Sequence, residues 1–483
     1  MTLKQKTING LKWSFIENTS SLGLSFIVGI ILARLLSPRE FGLIGMITIF
    51  IAIAAPFVAG GFGLALIRKQ NCSQADYSTV FYFNLIISLL FYLLFFFTAE
   101  EISNYFNEPL LKPMIRVLGL CIIINGLSFI QSIRLRKQID FKLLTKISII
   151  AGVISGVVGI AMAYTGYGVW SLIVKTILGY LLTSIFLWCW NRWKPSLIFS
   201  VSSFKELFSF GSKLLVSGLI DTIYRNIYYL IIGKYYAAAE LGYYTRAELF
   251  QSLPSANLQG IIGRVSYPIL STIQDDIPRL RETYKKIIRS TMLITFILLL
   301  GMAAVARPMI LTLIGEKWEP CVIYLQMLCF VGMFYPLNEL NLNMLMVQGK
   351  SDLLLRLEII KKALAVPVIV IGVIWGIKAM ILGMILHSLI CYYLNSYWSG
   401  RMIGYFSLEQ IKDILPSFLL AVIMSSIVFA EGLLIQLPPL PLLIIQLITG
   451  ALLTFGLCER FHLKDYIYIK SIINDNFIKS DRS

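Results

Sequence analysis

Apolar residues in this chain come in long blocks, not at the alternating or one-faced spacing of a soluble strand or helix. Met292 to Ala306 carries no charge, and neither does Ala421 to Ala430. Blocks of about 20 apolar residues match a hydrocarbon core of roughly 30 Å at 1.5 Å per residue. Set against charged and turn-rich breaks, they predict about fourteen transmembrane helices near 12–34, 41–66, 79–99, 114–133, 147–165, 168–190, 207–232, 242–270, 290–312, 321–347, 356–376, 378–400, 413–432 and 440–458. The eighth is polar, with a break expected at Pro254, and the last pair is set around Pro438, Pro439 and Pro441. The first block, Leu11 to Leu36, is too long for a signal-peptide core and lacks an A-x-A cleavage site, so it reads as mature helix.

Composition agrees. Of 483 residues 57% are hydrophobic and 14% charged, with mean hydropathy +0.78, more apolar surface than a soluble domain of this size hides. The net charge of +16 would suit a nucleic-acid partner, but its placement argues otherwise. With the N-terminus inside, 30 of the 42 Lys and Arg fall on the inner side, nine on the outer side and three (Lys175, Arg225, Arg264) within helices. That bias follows the positive-inside rule and expects an inner-membrane protein with both termini cytoplasmic. The basic balance then faces anionic lipid headgroups, and no nucleic-acid partner is expected. The seven cysteines form no CxxC pair and most lie inside apolar blocks, as small buried hydrophobes do.

The sequence repeats. Ile31-Leu-Ala-Arg34 through Glu40-Phe-Gly42 aligns with Ile231-Ile-Gly-Lys234 through Glu240-Leu-Gly242 at an offset of 200, which also pairs Gly60 with Gly260 and Gly63 with Gly263. At an offset of 210, Lys146-Ile-Ser-Ile-Ile matches Arg356-Leu-Glu-Ile-Ile, and Gly166 matches Gly376. Six helices separate the copies, so both insert with the same orientation, a parallel repeat of the kind found in alternating-access transporters. The expected organisation is an all-α membrane protein with one six-helix lobe over 1–200 and a second over 201–405. A further helix pair over 406–460 and a cytoplasmic tail over 461–483 would follow.

Several ordered motifs carry a resemblance. They are Ala33-Arg-Leu-Leu-Ser-Pro38 with Glu40-Phe-Gly42, Ser78-Thr-Val-Phe81, Ile139-Asp-Phe-Lys142, Tyr167-Gly-Val-Trp170, Arg192-Trp-Lys-Pro-Ser-Leu197 and Leu241-Gly-Tyr-Tyr-Thr-Arg-Ala247. Together, from about Gly10 to Phe418, the chain resembles the polysaccharide-export branch of the multidrug/oligosaccharidyl-lipid/polysaccharide superfamily, near Wzx-type flippases of the colanic-acid and teichuronic-acid kind. The resemblance implies a V-shaped two-lobe fold, like that of MATE transporters and MurJ. It also implies export of undecaprenyl-diphosphate-linked oligosaccharide for O-antigen, capsule or exopolysaccharide, in functional association with polymerase and chain-length machinery. Relatives often place an Asp three residues after the seventh-helix Arg, where this chain reads Arg225-Asn226-Ile227-Tyr228, so a coupling role does not carry over from that Asp.

Such a substrate needs cationic and hydrogen-bonding groups in a wet path and no bond-making chemistry. A charge at the bilayer centre costs roughly 2.5–3.5 kcal/mol on insertion scales, so such residues mark pathways. Asp221 and Arg225 share a face of the seventh helix at i and i+4: Arg225 would grip diphosphate oxygens in a guanidinium fork and Asp221 is a candidate for coupling or proton carriage, or the two neutralise each other. Tyr224 and Tyr228 flank them, for stacking on sugar rings or for packing between helices. Arg246 and Arg264 lie near opposite ends of the eighth helix, with Glu248 a ready partner for Arg246 and snorkelling an alternative for Arg264. Lys175 in the sixth helix has no acid within four residues. Asn338 and Asn341 share a face of the tenth helix, lining a cleft or bonding helices together. Glu17 in the first helix and His387 in the twelfth are candidates for gating or proton carriage, set against an interfacial position and a packing role.

Enzyme signatures are missing: the sequence holds no P-loop, GxSxG or HExxH, and only two histidines. No cofactor, metal or catalytic residue is expected. A drug/cation exporter is one rival, but it would favour exposed acids where cations predominate here. A membrane polysaccharide polymerase or ligase is the other, and it would need a large outer loop, whereas the longest, Glu100 to Pro113, has about 14 residues.

Overall fold

The computed structural model describes residues 3–462, 465–467 and 470, with the side chains of 3–9, 11, 256–265 and 351 outside the description. Among the described residues the chain is all helical. The helices are α1 (Leu3–Leu35), α2 (Pro38–Ala59), α3 (Phe62–Arg68), α4 (Gln74–Phe106), α5 (Leu111–Leu118), α6 (Leu120–Lys137), α7 (Phe141–Tyr164), α8 (Val169–Asn191), α9 (Val201–Tyr235) and α10 (Ala238–Thr272). They continue with α11 (Ile277–Ala304), α12 (Ala306–Leu313), α13 (Cys321–Gly332), α14 (Tyr335–Val347), α15 (Ser351–Leu364), α16 (Val366–Trp375), α17 (Ile377–Ile403), α18 (Ser407–Leu434) and α19 (Pro439–Arg460). Helices satisfy their backbone groups internally, which lipid demands.

Among the described residues each of the fourteen apolar blocks has a helical counterpart, and eleven of these are long and apolar enough to span a bilayer. The others are α9, α10 and the α15–α16 pair, where polar residues interrupt the apolar run. Five blocks are two helices each. Pro336 and Pro367 open α14 and α16, where a missing N–H breaks least. The Gly60–Gly61 doublet, with φ of 54° and 67°, separates α2 from α3. At the α11–α12 break, Gln326 donates to the Ala303 carbonyl at 3.2 Å. The break expected at Pro254 does not occur. Helix α10 runs continuously through Pro254 and Pro268, and Ser255 donates its hydroxyl to the Gln251 carbonyl in the same turn.

Contacts group the chain into two compact units, Met1–Gly242 and Tyr243–Ser483. In the first, α1 packs on α7, where Gly152 and Gly156 admit Leu24 and Val28, and α7 packs on α8. Helix α9 joins this unit through α2, α3 and α4. Its base is an aromatic cluster in which Phe62, Phe81, Trp193 and Leu207 are buried. In the second, α11 packs on α18, α18 on α19, and α16 on α17.

Burial and backbone geometry reproduce the repeat. Val28, Leu32 and Ala33 of α1 are buried, and so are Tyr228, Ile232 and Gly233 of α9, each 200 positions later. Helix α7 begins at Phe141 and ends before Gly166; α15 begins 210 positions later at Ser351 and α16 ends before Gly376, and both glycines have positive φ.

Candidate transport site

Helix α9 is fastened at its two ends and bare between them. Leu207 and Gly211 are buried near its start, Tyr228, Ile232 and Gly233 near its end, and none of residues 212–227 is buried. At the start, Gly61 and Gly211 meet backbone to backbone: an added Cβ on Gly61 would run into the Gly211 carbonyl, and one on Gly211 would lie 2.6 Å from the Gly60 oxygen. Lys69 adds an ion pair to Glu206 at 2.9 Å. At the far end, Lys234 donates to the Tyr105 carbonyl and lies 4.2 Å from the centre of its ring.

The bare stretch is striped. Val216, Ile220 and Ile223 form an exposed apolar face, while Ser217, Asp221 and Arg225, each four apart, form an exposed polar one. Thr222 donates to the Gly218 carbonyl at 2.7 Å and Asn226 to that of Thr222 at 2.8 Å, turning those polar groups back onto their own helix. Asp221 and Arg225 are, with Ser217, the exposed members of this polar face. Helix α1 shows the same design 200 positions earlier: none of residues 12–27 is buried, and Ser14, Asn18, Ser21 and Ser25 line one face. Polar stripes on membrane helices are retained at a cost and face wet interiors.

The other predicted residues divide between the units. Tyr224 is half-buried beside Arg225, whereas Tyr228 is 6% exposed and packs into the first unit's core. Glu17 is half-buried on α1, with Arg136 as its electrostatic neighbour. Lys175 lies on α8 with its stem against α7, where a Cβ on Gly159 would come within 2.8 Å of the Lys175 Cβ. Arg246 is half-buried on α10 in the second unit, and the Arg264 side chain falls outside the described residues.

Asn338 and Asn341 bond helices together. Asn341 is fully buried and exchanges amide hydrogen bonds with Gln410 of α18 at 3.2 and 3.1 Å, while Ser399 of α17 donates to its oxygen. Asn338 accepts from Asn395 of α17 at 2.8 Å. His387 is buried on α17, its Nε2 2.9 Å from the Lys361 carbonyl and Cys391 one turn away.

Sequence reasoning missed two features. Lys361 is buried within α15 and paired with Glu358, in an i, i+3 spacing readable from the sequence. The second is a strap formed by Arg192-Trp-Lys-Pro-Ser-Leu197, which joins α8 to α9. The Trp193 indole donates to Gln74 at 2.8 Å, Gln74 donates to the Lys194 carbonyl at 2.7 Å, and the backbone N–H groups of Ser196 and Ser200 donate to Ser78 and Thr79. Two motifs 118 residues apart in the sequence therefore bond each other in the fold.

The family model described as polysaccharide biosynthesis protein matches residues 31–323. The chain is 28% identical over 428 residues to the lipopolysaccharide biosynthesis protein WzxC of Escherichia coli (strain K12), covering 86% of this chain and 83% of that one. It is 25% identical over 357 residues to the teichuronic acid biosynthesis protein TuaB of Bacillus subtilis (strain 168), covering 73% of each. Among solved structures, the lipid II flippase MurJ in an inward closed conformation superposes with a TM-score of 0.77 at 17% identity, over 95% of this chain and all of that one. An inward-facing MATE family multidrug resistance transporter of the MOP superfamily superposes at 0.64 and 15% identity, over 81% of this chain and 98% of that one. The chain shares the fold of these two structures, and this multi-pass membrane protein belongs to the family of polysaccharide biosynthesis proteins.

Proposed function

We propose that the protein is a flippase that carries undecaprenyl-diphosphate-linked oligosaccharide from the inner to the outer leaflet of the cytoplasmic membrane, for assembly of a surface polysaccharide. The observation that carries this reading is the polar stripe of α9, a membrane-embedded face that leaves the Arg225 fork and Asp221 exposed amid apolar residues. A guanidinium matches a phosphate in bidentate geometry, and Arg225 grips the diphosphate while hydroxyls and amides of the α1 and α9 stripes meet the sugars. No covalent bond is made or broken, so the protein acts as a carrier and not as an enzyme. The transport and biosynthesis roles in its relatives' names support this reading, among them the succinoglycan biosynthesis transport protein ExoT of Rhizobium meliloti (strain 1021).

The charge bias supports an orientation with both termini in the cytoplasm and the α8–α9 strap at the inner face. Residues 1–200 and 201–405 form the two repeat copies, with α9 docked onto the first copy's helices. Export hands its product to polymerase and chain-length machinery. The substrate is anionic and the cell interior negative, so outward movement gains about 2.3 kcal/mol per charge per 100 mV and needs no dedicated counter-ion. The test is deletion of the gene. Lipid-linked repeat units should accumulate on the inner leaflet, shielded from a periplasmic glycosidase, and an unchanged glycosidase-accessible pool would contradict the assignment.

A further inference from the structure

At the start of α9, about 28 Å along the helix from Arg225 at 1.5 Å per residue, lies a pocket of about 320 Å³. Ala65, Arg68 and Lys69 of the α3 end and Glu206, Leu207 and Phe210 of α9 line it. Its two cations differ in what holds them. The Arg68 guanidinium lies 4.7 Å from the centre of the Phe210 ring, and among the described residues no carboxylate pairs with it. Lys69 bonds two carboxylates, Asp76 at 3.1 Å and Glu206 at 2.9 Å.

Those two anions are not equivalent. Asp76 is 2% exposed and is bound into its helix cap by the Ser73 backbone N–H at 2.8 Å. Glu206 is 61% exposed and reaches the cluster through Lys69. Behind them Lys137 donates to the Leu66 and Lys69 carbonyls, covering the negative end of α3 that would otherwise repel an anion. The arrangement is a paired lysine with one exchangeable carboxylate, next to an arginine held open on an aromatic face.

We propose that this pocket is a second, phosphate-binding subsite, where the diphosphate of a prenyl-linked lipid docks before it reaches the α9 stripe. The incoming diphosphate displaces Glu206 from Lys69 and takes Arg68 off Phe210 as its forked partner, leaving Leu207, Phe210 and Ala65 against the first prenyl carbons. Displacing Glu206 also removes one of the contacts that fasten the start of α9, so loading and easing of that end of the helix are one event. The inference rests on the flippase reading and on the orientation given with it, which puts the pocket at the inner leaflet where such lipids are made.

Full-length protein in nanodiscs, with farnesyl diphosphate as probe, tests it. An Arg225→Ala background silences the mid-helix site. In that background binding should persist, fall by about tenfold or more with Arg68→Ala, recover in part with Arg68→Lys, and tighten with Glu206→Gln. Inorganic pyrophosphate should compete and phosphatidylglycerol should not. Binding indifferent to Arg68→Ala and Glu206→Gln, or equal competition by phosphatidylglycerol, overturns the subsite while leaving the flippase reading intact. Absence of farnesyl diphosphate binding by the unaltered protein counts against the flippase reading itself.

Discussion

Gly42 and Gly242, equivalent residues of the two repeat copies, are packed reciprocally: each lies against the first helical turn of the other's helix. A Cβ on Gly42 would overlap the Ala238 carbonyl, and a Cβ on Gly242 would overlap that of Pro38. Ala238 and Pro38 are themselves equivalent at the offset of 200, so the contact is one interaction used twice, in reciprocal form. Only glycine permits backbones this close within a helix pair.

Gly42→Ala and Gly242→Ala should therefore each destabilise the protein by roughly 1–3 kcal/mol, because backbone carbonyls cannot swing aside as a side chain would. The double variant should cost less than the sum, since the first substitution already separates the two helices. Thermal melting of the detergent-solubilised protein measures this. Unchanged melting in either single variant would contradict the packing.

Arg225→Ala should abolish polysaccharide export at normal membrane abundance, and Arg225→Lys should retain part of it, because a point charge replaces a fork. Asp221→Asn should impair export less than Arg225→Ala, since Asp221 attends the arginine and does not meet the phosphate. Surface polysaccharide measured beside the protein's membrane level checks all three. Full export by the alanine variant would remove Arg225 from the site.

The buried amide pair of the second unit makes a different prediction. Asn341→Ala leaves Gln410 and Ser399 without their shared partner inside the helix bundle, a loss of roughly 1–3 kcal/mol. Melting temperature and abundance should fall while transport per folded molecule stays near normal. A variant of normal stability that fails to transport would make Asn341 a substrate ligand.

Lys69 gives a pH signature. The hydrogen bond to Glu206 is the largest influence holding its ammonium above the ordinary lysine value of 10.5. A group whose pKa is raised on folding contributes stability that is complete below its unfolded value and is lost as pH rises through the folded one. The melting temperature should accordingly decline above about pH 10.4, and Glu206→Gln should flatten that decline. Identical alkaline limbs for the two proteins would show that the ion pair is absent in solution.

The helices, their approximate number and the repeat register were legible because each rests on local residues: apolar blocks for the spans, and recurring Ala33/Gly233 and Gly42/Gly242 for the register. The Asp221–Arg225 face was legible because four residues of helix make one face. What could not be read depends on tertiary neighbours. Nothing near Tyr228 says that it turns into the core while Arg225 stays exposed, nor that Lys69 finds Glu206 137 residues away. Asn338 and Asn341 look alike for lining or bonding until α17 and α18 are in place. The run through Pro254 was missed because helical neighbours outweighed a breaker that in water would end the helix.

The central claim is that this chain alone moves a diphosphate-linked oligosaccharide lipid across a bilayer. Purified protein reconstituted into vesicles that carry such a lipid in both leaflets, with an impermeant glycosidase added outside, tests that most directly. With a potential driving the lipid outward and no pH gradient, the account predicts digestion beyond the outer-leaflet half that empty vesicles allow, and its loss with Arg225→Ala. Digestion that stops at that half with the unaltered protein would contradict it.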